Sequence, residues 1–167
     1  MLRLILVRHA KSAWDDPGLA DFDRPLAPRG IAAARWIGET LGAQGWLADR
    51  IVCSTARRTR ETLELAMARL PADSPPADLV WSDAVYDRRD HDYLGLLAER
   101  GGDARVLMLV GHNSATQRTA LSLSGSGEPI GGFPTGGIAV IDCDIPGWMN
   151  LVPRCGRLVH FVRPPKG

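Results

Sequence analysis

The chain has 167 residues, 45% hydrophobic and 23% charged, and its 20 Lys and Arg against 19 Asp and Glu give a formal net charge of +1. That length predicts one domain, residues 1–167, able to bury a core without crosslinks, and the composition excludes a disordered tail. Basic side chains gather only at Arg57, Arg58 and Arg60 and at Arg88 and Arg89, which makes no stripe for nucleic acid. Cys53, Cys143 and Cys155 form no C-x-x-C pair and are too scattered for a disulfide framework, so a reducing compartment is expected. The apolar opening ends at Arg8 and His9, too early for a signal-peptide core or a membrane span. The expectation is a cytoplasmic protein without membrane contact, acting as a monomer or weak oligomer.

Residues 2–7 read as a buried parallel strand that runs into a polar loop rich in Asp, Pro and Gly. Over residues 28–41, Ile31, Ala34, Ile37 and Leu41 recur at helical spacing behind a first-turn Pro28, and Gly42 and Gly45 supply the stop. Residues 51–53 form a second strand. Ser54 or Thr55 then caps a helix whose apolar face is Leu63, Ala66, Met67 and Leu70. After a proline-rich connector at 71–76 come a brief strand at 79–81, a polar loop at 87–92 and a short helix at 93–100. Residues 105–110 are the clearest buried strand, followed by a helix over 114–123 and by late strands at 136–143 and 157–162 with a turn at Pro146-Gly147. Strands alternating with helices predict a layered α/β fold with a mostly parallel sheet, in which ligands bind beyond the carboxyl ends of the strands.

Three predicted strands end in reactive or basic side chains: Arg8-His9, then Ser54 with Arg57 and Arg58, then His112. Two imidazoles with at least two guanidinium groups suit a phosphoryl group, because arginine forks match phosphate oxygens bidentately. A neutral imidazole can attack phosphorus and hold it covalently, a role that fits His9, while His112 can stabilise the negative charge of the group in transfer. The alternative for paired histidines is a metal, with Asp15, Asp16, Asp21 and Asp23 as oxygen donors. Cys, His or carboxylate ligands are lacking beside the strand ends, and a cation would share the pocket with two arginines, so no metal is expected.

The motifs Leu6-Val7-Arg8-His9-Ala10-Lys11-Ser12, then Ser54-Thr55-Ala56-Arg57-Arg58-Thr59-Arg60-Glu61-Thr62, and Val110-Gly111-His112-Asn113 resemble, in order, the three signatures of the histidine phosphatase superfamily, which includes the cofactor-dependent phosphoglycerate mutases. The stretch from Asp21 through Arg24-Pro25-Leu26 to Arg29-Gly30 resembles an element of its short bacterial members, the SixA-type phosphohistidine phosphatases. The resemblance runs from Leu4 to about Ile138. It implies a three-layer α/β/α, phosphoglycerate mutase-like fold, phosphorylation of His9, phosphate contacts from Arg8, Arg58 and His112, and no metal or organic cofactor. Only the spacing of the second motif singles out Arg58, Arg57 and Arg60 reading otherwise as a solvated helix face.

Larger relatives carry an insertion over the site that usually offers a carboxylate as proton donor, and residues 70–105 leave hardly any room for one. An open pocket favours a phosphate displayed on a protein, and a protonated phosphohistidine needs little acid help to lose its phosphoryl group. The favoured substrate is therefore phosphohistidine on a signalling or phosphotransfer protein; small phosphate esters, or a non-catalytic phosphoprotein-binding module, are the alternatives. Asp87 beside Tyr86 is the first candidate donor. Lys11 and Ser12 either touch phosphate or shape the loop. Asn113 either caps a helix or contacts the ligand, and Arg24 and Arg29 either support the pocket or close surface ion pairs. His91 and His160 have no motif around them, and the five tryptophans read as core or rim packing.

Overall fold

A computed structural model, describing residues 1–125 and 131–166, shows one six-stranded sheet covered by helices on both faces. In chain order the elements are β1 (Leu2–Arg8), α1 (Pro28–Gln44), β2 (Arg50–Ser54), α2 (Arg57–Met67), β3 (Asp78–Ser82), α3 (Asp83–Asp87), α4 (Leu94–Arg100), β4 (Val106–Gly111), α5 (Ala115–Ser124), β5 (Ile138–Cys143) and β6 (Gly156–Val162). Short 3-10 turns occupy Asp21–Asp23 and Trp148–Asn150. Spatially the strands run β3-β2-β4-β1-β5-β6. The first four are mutually parallel, while β5 is antiparallel to both β1 and β6.

β1 is apolar at consecutive positions because both of its faces are covered. Leu4 and Leu6 pack into one core with Val85, Leu97, Ala120 and Leu123 from α3, α4 and α5, and with Trp148. Ile5 and Val7 pack into the other with Ile37 and Leu41 of α1 and Leu63 and Ala66 of α2. This is the sandwich expected of parallel strands buried on both sides, so alternation is invisible in the sequence. Hydrophobic burial of this kind is the main favourable term holding the layers together.

Several boundaries differ from the sequence-based expectation. The loop after β3 begins as the short helix α3. The cap of α2 is Ala56, with no side-chain bond to the helix. Ser54 cannot serve as that cap, because it lies in β2 and its hydroxyl accepts the Ala56 N–H at 3.2 Å. Thr55 turns its hydroxyl to Asp83 instead. α2 ends at Met67, and Leu70 packs from the following turn.

The fold brings the carboxyl ends of β1, β4 and β2 side by side. Arg8 is in register with Gly111, and Cys53 with Val110, so His9, His112 and Ser54 emerge from three adjacent strands. Among the described residues no helix is long and apolar enough to cross a membrane.

Candidate active site

The turn leaving β1 is fixed from several sides. The His9 N–H donates to Gly111 O at 3.0 Å, and the Ala10 N–H to Thr62 Oγ1 at 3.0 Å. The Gly136 N–H donates to the carbonyls of Arg8 and His9 at 3.1 and 3.0 Å. Further along, Ser12 bridges Leu26, and the Ala27 N–H donates to Lys11 O at 2.9 Å. At Gly30 in the first turn of α1, an added Cβ would lie 2.0 Å from Lys11 O. The helix therefore approaches the loop closely enough to require glycine, which accounts for the last residue of the Arg29-Gly30 pair.

His9 is buried, and its ring is oriented by the backbone: Nδ1 lies 2.7 Å from Ala10 O. A carbonyl only accepts, so Nδ1 carries the proton and Nε2 presents a lone pair. Arg58 Nε donates to that Nε2 at 3.4 Å. Burial pushes His9 down to about 3; the Ala10 carbonyl opposes this, and the positive charges of Arg58, Arg8 and Arg24 add to the fall. The imidazole is thus neutral in ordinary buffers, as nucleophilic attack requires.

His112 stands beside it, with ring centroids 5.2 Å apart. Its Nε2 is 2.8 Å from Ser54 Oγ, and its Nδ1 is buried without a partner among the described residues. Burial, the neighbouring His9 and Arg58 push it down to about 2. Tyr86 packs edge-on against the ring at 5.4 Å.

Three guanidinium groups surround the pair. Arg58 is buried, with Nη1 donating to Asp21 O at 2.8 Å and Nη2 to Asp21 Oδ2 at 3.1 Å. Arg24, also buried, donates to Ser12 Oγ at 2.7 Å and to Asp21 Oδ1 at 2.9 Å. Arg8 is half-buried, donates to Phe133 O at 2.8 Å, and has Nε buried with no partner among the described residues. Asp21 anchors the group and also accepts from the Tyr86 hydroxyl at 2.8 Å. Burial alone would raise the Asp21 carboxyl, but Tyr86, Arg58 and Arg24 outweigh it and hold the group well below the usual carboxylate range.

These residues line an open cavity of ≈ 360 Å³, whose wall also includes Lys11, Ser12, Trp14, Arg89, Asp90, Asn113 and Thr135. Nine of the side chains weighed from the sequence for a role at the site therefore converge there: Arg8, His9, Lys11, Ser12, Asp21, Arg24, Arg58, His112 and Asn113. Asn113 lines the cavity, and its Oδ1 accepts the Gln117 N–H at 3.2 Å in the first turn of α5, whose cap position is Ser114. Asp87 does not converge. It closes α3, is exposed, and does not line the cavity, because α3 turns it outward while the next loop brings Arg89 and Asp90 in.

Trp14 is a rim residue, 75% exposed, with Arg24 Cζ 3.4 Å from its ring centroid. Arg57 and Arg60 are exposed, as a solvated helix face requires. Among the described residues no three His, Cys, Asp or Glu side chains converge as a metal-ligand set.

The family model of the histidine phosphatase superfamily (branch 1) matches residues 4–78. The Mycobacterium tuberculosis protein Rv1276c is 36% identical over 95% of this chain and 99% of its own. The crystal structure of the Agrobacterium tumefaciens protein assigned as phosphohistidine phosphatase SixA superposes with a TM-score of 0.82 at 34% identity, covering 98% of each chain. At 15% identity the same fold extends to the mycobacterial glucosyl-3-phosphoglycerate phosphatase, with a TM-score of 0.66 over 95% of this chain and 97% of that one.

Proposed function

Because the chain belongs to the histidine phosphatase superfamily, we propose that residues 1–167 form a single cytoplasmic phosphatase domain, a monomer or weak oligomer, that works through a phosphoryl group carried on His9 without metal or cofactor. The observation that carries this reading is the state of His9: Nδ1 is anchored to Ala10 O, and Nε2 presents a lone pair inside a ring of arginines.

In the first step Nε2 of His9 attacks phosphorus and the bond to the leaving group breaks, its electron pair departing with that group. The positive charge that forms on the imidazole lies against the Ala10 carbonyl. Arg8 and Arg58 hold the phosphoryl oxygens, Arg58 giving up its long contact to Nε2 as the new bond forms. With an oxygen bound, the arrangement that satisfies every group has the Ser54 hydroxyl donating to His112 Nε2 and His112 Nδ1–H donating to phosphate; Arg8 Nε gains a partner in the same way. In the second step water attacks phosphorus, the P–N bond returns its electrons to Nε2, and the water's proton ends on the released phosphate.

The favoured substrate is phosphohistidine on a signalling or phosphotransfer protein. An alkoxide leaving group needs a positioned acid. Asp21 cannot act as one, being held ionised by Tyr86 and the two arginines. Asp90, exposed at the rim, is the other carboxyl lining the cavity. A protonated phosphohistidine leaves as neutral imidazole and makes no such demand.

The test compares kcat/KM for a phosphohistidine protein with that for a panel of phosphate esters, using wild type, Asp90→Asn and His9→Ala. The reading expects preference for the P–N substrate, little effect of Asp90→Asn on it, and no turnover by His9→Ala. Faster ester turnover that collapses in Asp90→Asn would make the chain an ester phosphatase. Binding of the phosphoprotein without turnover would make it a module.

A further inference from the structure

We propose that a basic groove continuing from the candidate active site receives an acidic segment of the phosphoprotein substrate and so selects partners whose phosphorylated residue lies beside Asp and Glu side chains. The inference rests on the phosphatase reading above.

A second cavity of ≈ 610 Å³ shares Lys11 and Thr135 with the first, so the two lie side by side, meeting at those side chains. Its charged lining residues are Lys11, Arg29, Arg163 and Lys166, all exposed, with no carboxylate among them. Together the two cavities gather eight of the chain's 20 Lys and Arg but only two of its 19 Asp and Glu, Asp21 and Asp90. The track therefore carries an excess of positive side chains that the near-neutral chain as a whole does not. Asp21 is already committed to Arg58 and Arg24, and no carboxylate among the described residues pairs with Lys11, Arg163 or Lys166. Clefts lined by one sign of charge focus the field and steer oppositely charged partners to themselves.

The groove is also placed to act on the chemistry. Its floor is Ala32, Ala33 and Trp36 of α1, apolar enough to lie under an extended chain. One wall is the Pro164-Pro165 segment, whose ring-locked φ angles restrict its movement. Pro164 packs directly on Gly136, where a Cβ would meet its Cγ at 2.7 Å, and Gly136 has φ +76, open to glycine at little cost. The same Gly136 N–H is bonded to the carbonyls of Arg8 and His9. The wall of the groove is therefore tied to the strand end that carries His9, and a segment seated there is held at a fixed offset from the phosphoryl site.

Two synthetic peptides test this, each with one phosphohistidine, one flanked by Asp and Glu and the other by Asn and Gln. Phosphoramidate serves as a P–N substrate too small to reach the groove. At low salt the acidic peptide should show a kcat/KM at least about tenfold above its neutral twin, the two converging as ions screen the groove. The double variant Arg163→Glu/Lys166→Glu should erase that preference through KM while leaving phosphoramidate turnover unchanged. Equal turnover of the two peptides at low salt, or a preference that survives the double variant, would overturn the proposal. A wild type that hydrolyses neither peptide nor phosphoramidate removes the phosphatase reading instead. In that case the unphosphorylated peptides decide the groove by fluorescence anisotropy: selective binding of the acidic one, lost in the double variant, upholds it, and equal binding overturns it.

Discussion

Replacing Gly30 by alanine should damage the active site from a position that touches no substrate. The new Cβ would start 2.0 Å from Lys11 O, whereas an ordinary carbon–oxygen contact lies near 3.3 Å, so helix and loop must part by about 1.3 Å. Overpacking of this kind costs about 1–3 kcal/mol, offset in part by the gain of up to ~1 kcal/mol from removing a helical glycine. A net loss of about 1–2 kcal/mol lowers Tm by roughly 2–8 °C for a chain of this size. The loop that moves is the one following His9, and a misplacement near 1 Å can cost about 10²-fold in rate. Gly38→Ala supplies the control, because its Cβ would meet Ala66 O at the same 2.0 Å. Ala66 lies eight residues beyond Arg58 on α2, about 12 Å along the helix, so that variant should lose similar stability and keep most of its activity. The assay is kcat/KM on a phosphohistidine substrate beside thermal unfolding of both variants. If Gly30→Ala melts like Gly38→Ala yet keeps kcat/KM within twofold of wild type, the loop does not position the chemistry and the reasoning fails.

Acid should weaken the fold through the two buried histidines. Their folded-state values of about 3 and about 2 lie below the ordinary 6.5, so the unfolded chain binds more protons as pH falls from about 6.5. Stability should then drop by up to about 1.4 kcal/mol per histidine per pH unit, readable in urea titrations at pH 7 and 5, and a flat profile would contradict it. NMR should show both imidazoles still neutral at pH 5. Arg58→Lys keeps the charge but loses the fork that spans Asp21 and His9, and should lower kcat/KM by about 10²-fold or more; near wild-type rates would refute a role beyond charge. Ser54→Ala leaves His112 Nε2 buried without its partner, which should cost about 1–3 kcal/mol and reduce kcat more than it raises KM.

Much of the site was readable because its parts sit at the ends of strongly patterned strands. Apolar runs stop at Arg8-His9, at Ser54 and at Gly111-His112, and a parallel sheet delivers such ends to one edge. One signal went unused. Arg58, Thr62 and Ala66 recur at i, i+4 and i+8 on the buried stripe of α2, whereas Arg57, Arg60 and Glu64 fall on its outer face, so helical spacing alone separates Arg58 from its neighbours.

Other features carry no local pattern. Asp21 reaches Arg58 across 37 positions, and Tyr86 reaches Asp21 across 65. Those pairings follow from the path of the first loop over α2, which no periodicity encodes. Arg89 and Asp90 were hidden for a similar reason: the short helix α3 has too few residues to show an amphipathic stripe, and its length decides that they face the cavity and Asp87 does not. The antiparallel placement of β5 against β1 was likewise invisible, since both of its faces are apolar whichever way it runs.

The central claim, a phosphoryl group held on His9, is tested most directly by rapid quenching in alkali after mixing enzyme with a phosphohistidine protein. Tandem mass spectrometry then locates the phosphate. The account predicts an alkali-stable, acid-labile phosphoryl group on His9 that forms and decays within a turnover and is absent from His9→Ala. Phosphate on another residue, or full turnover by His9→Ala, would contradict it.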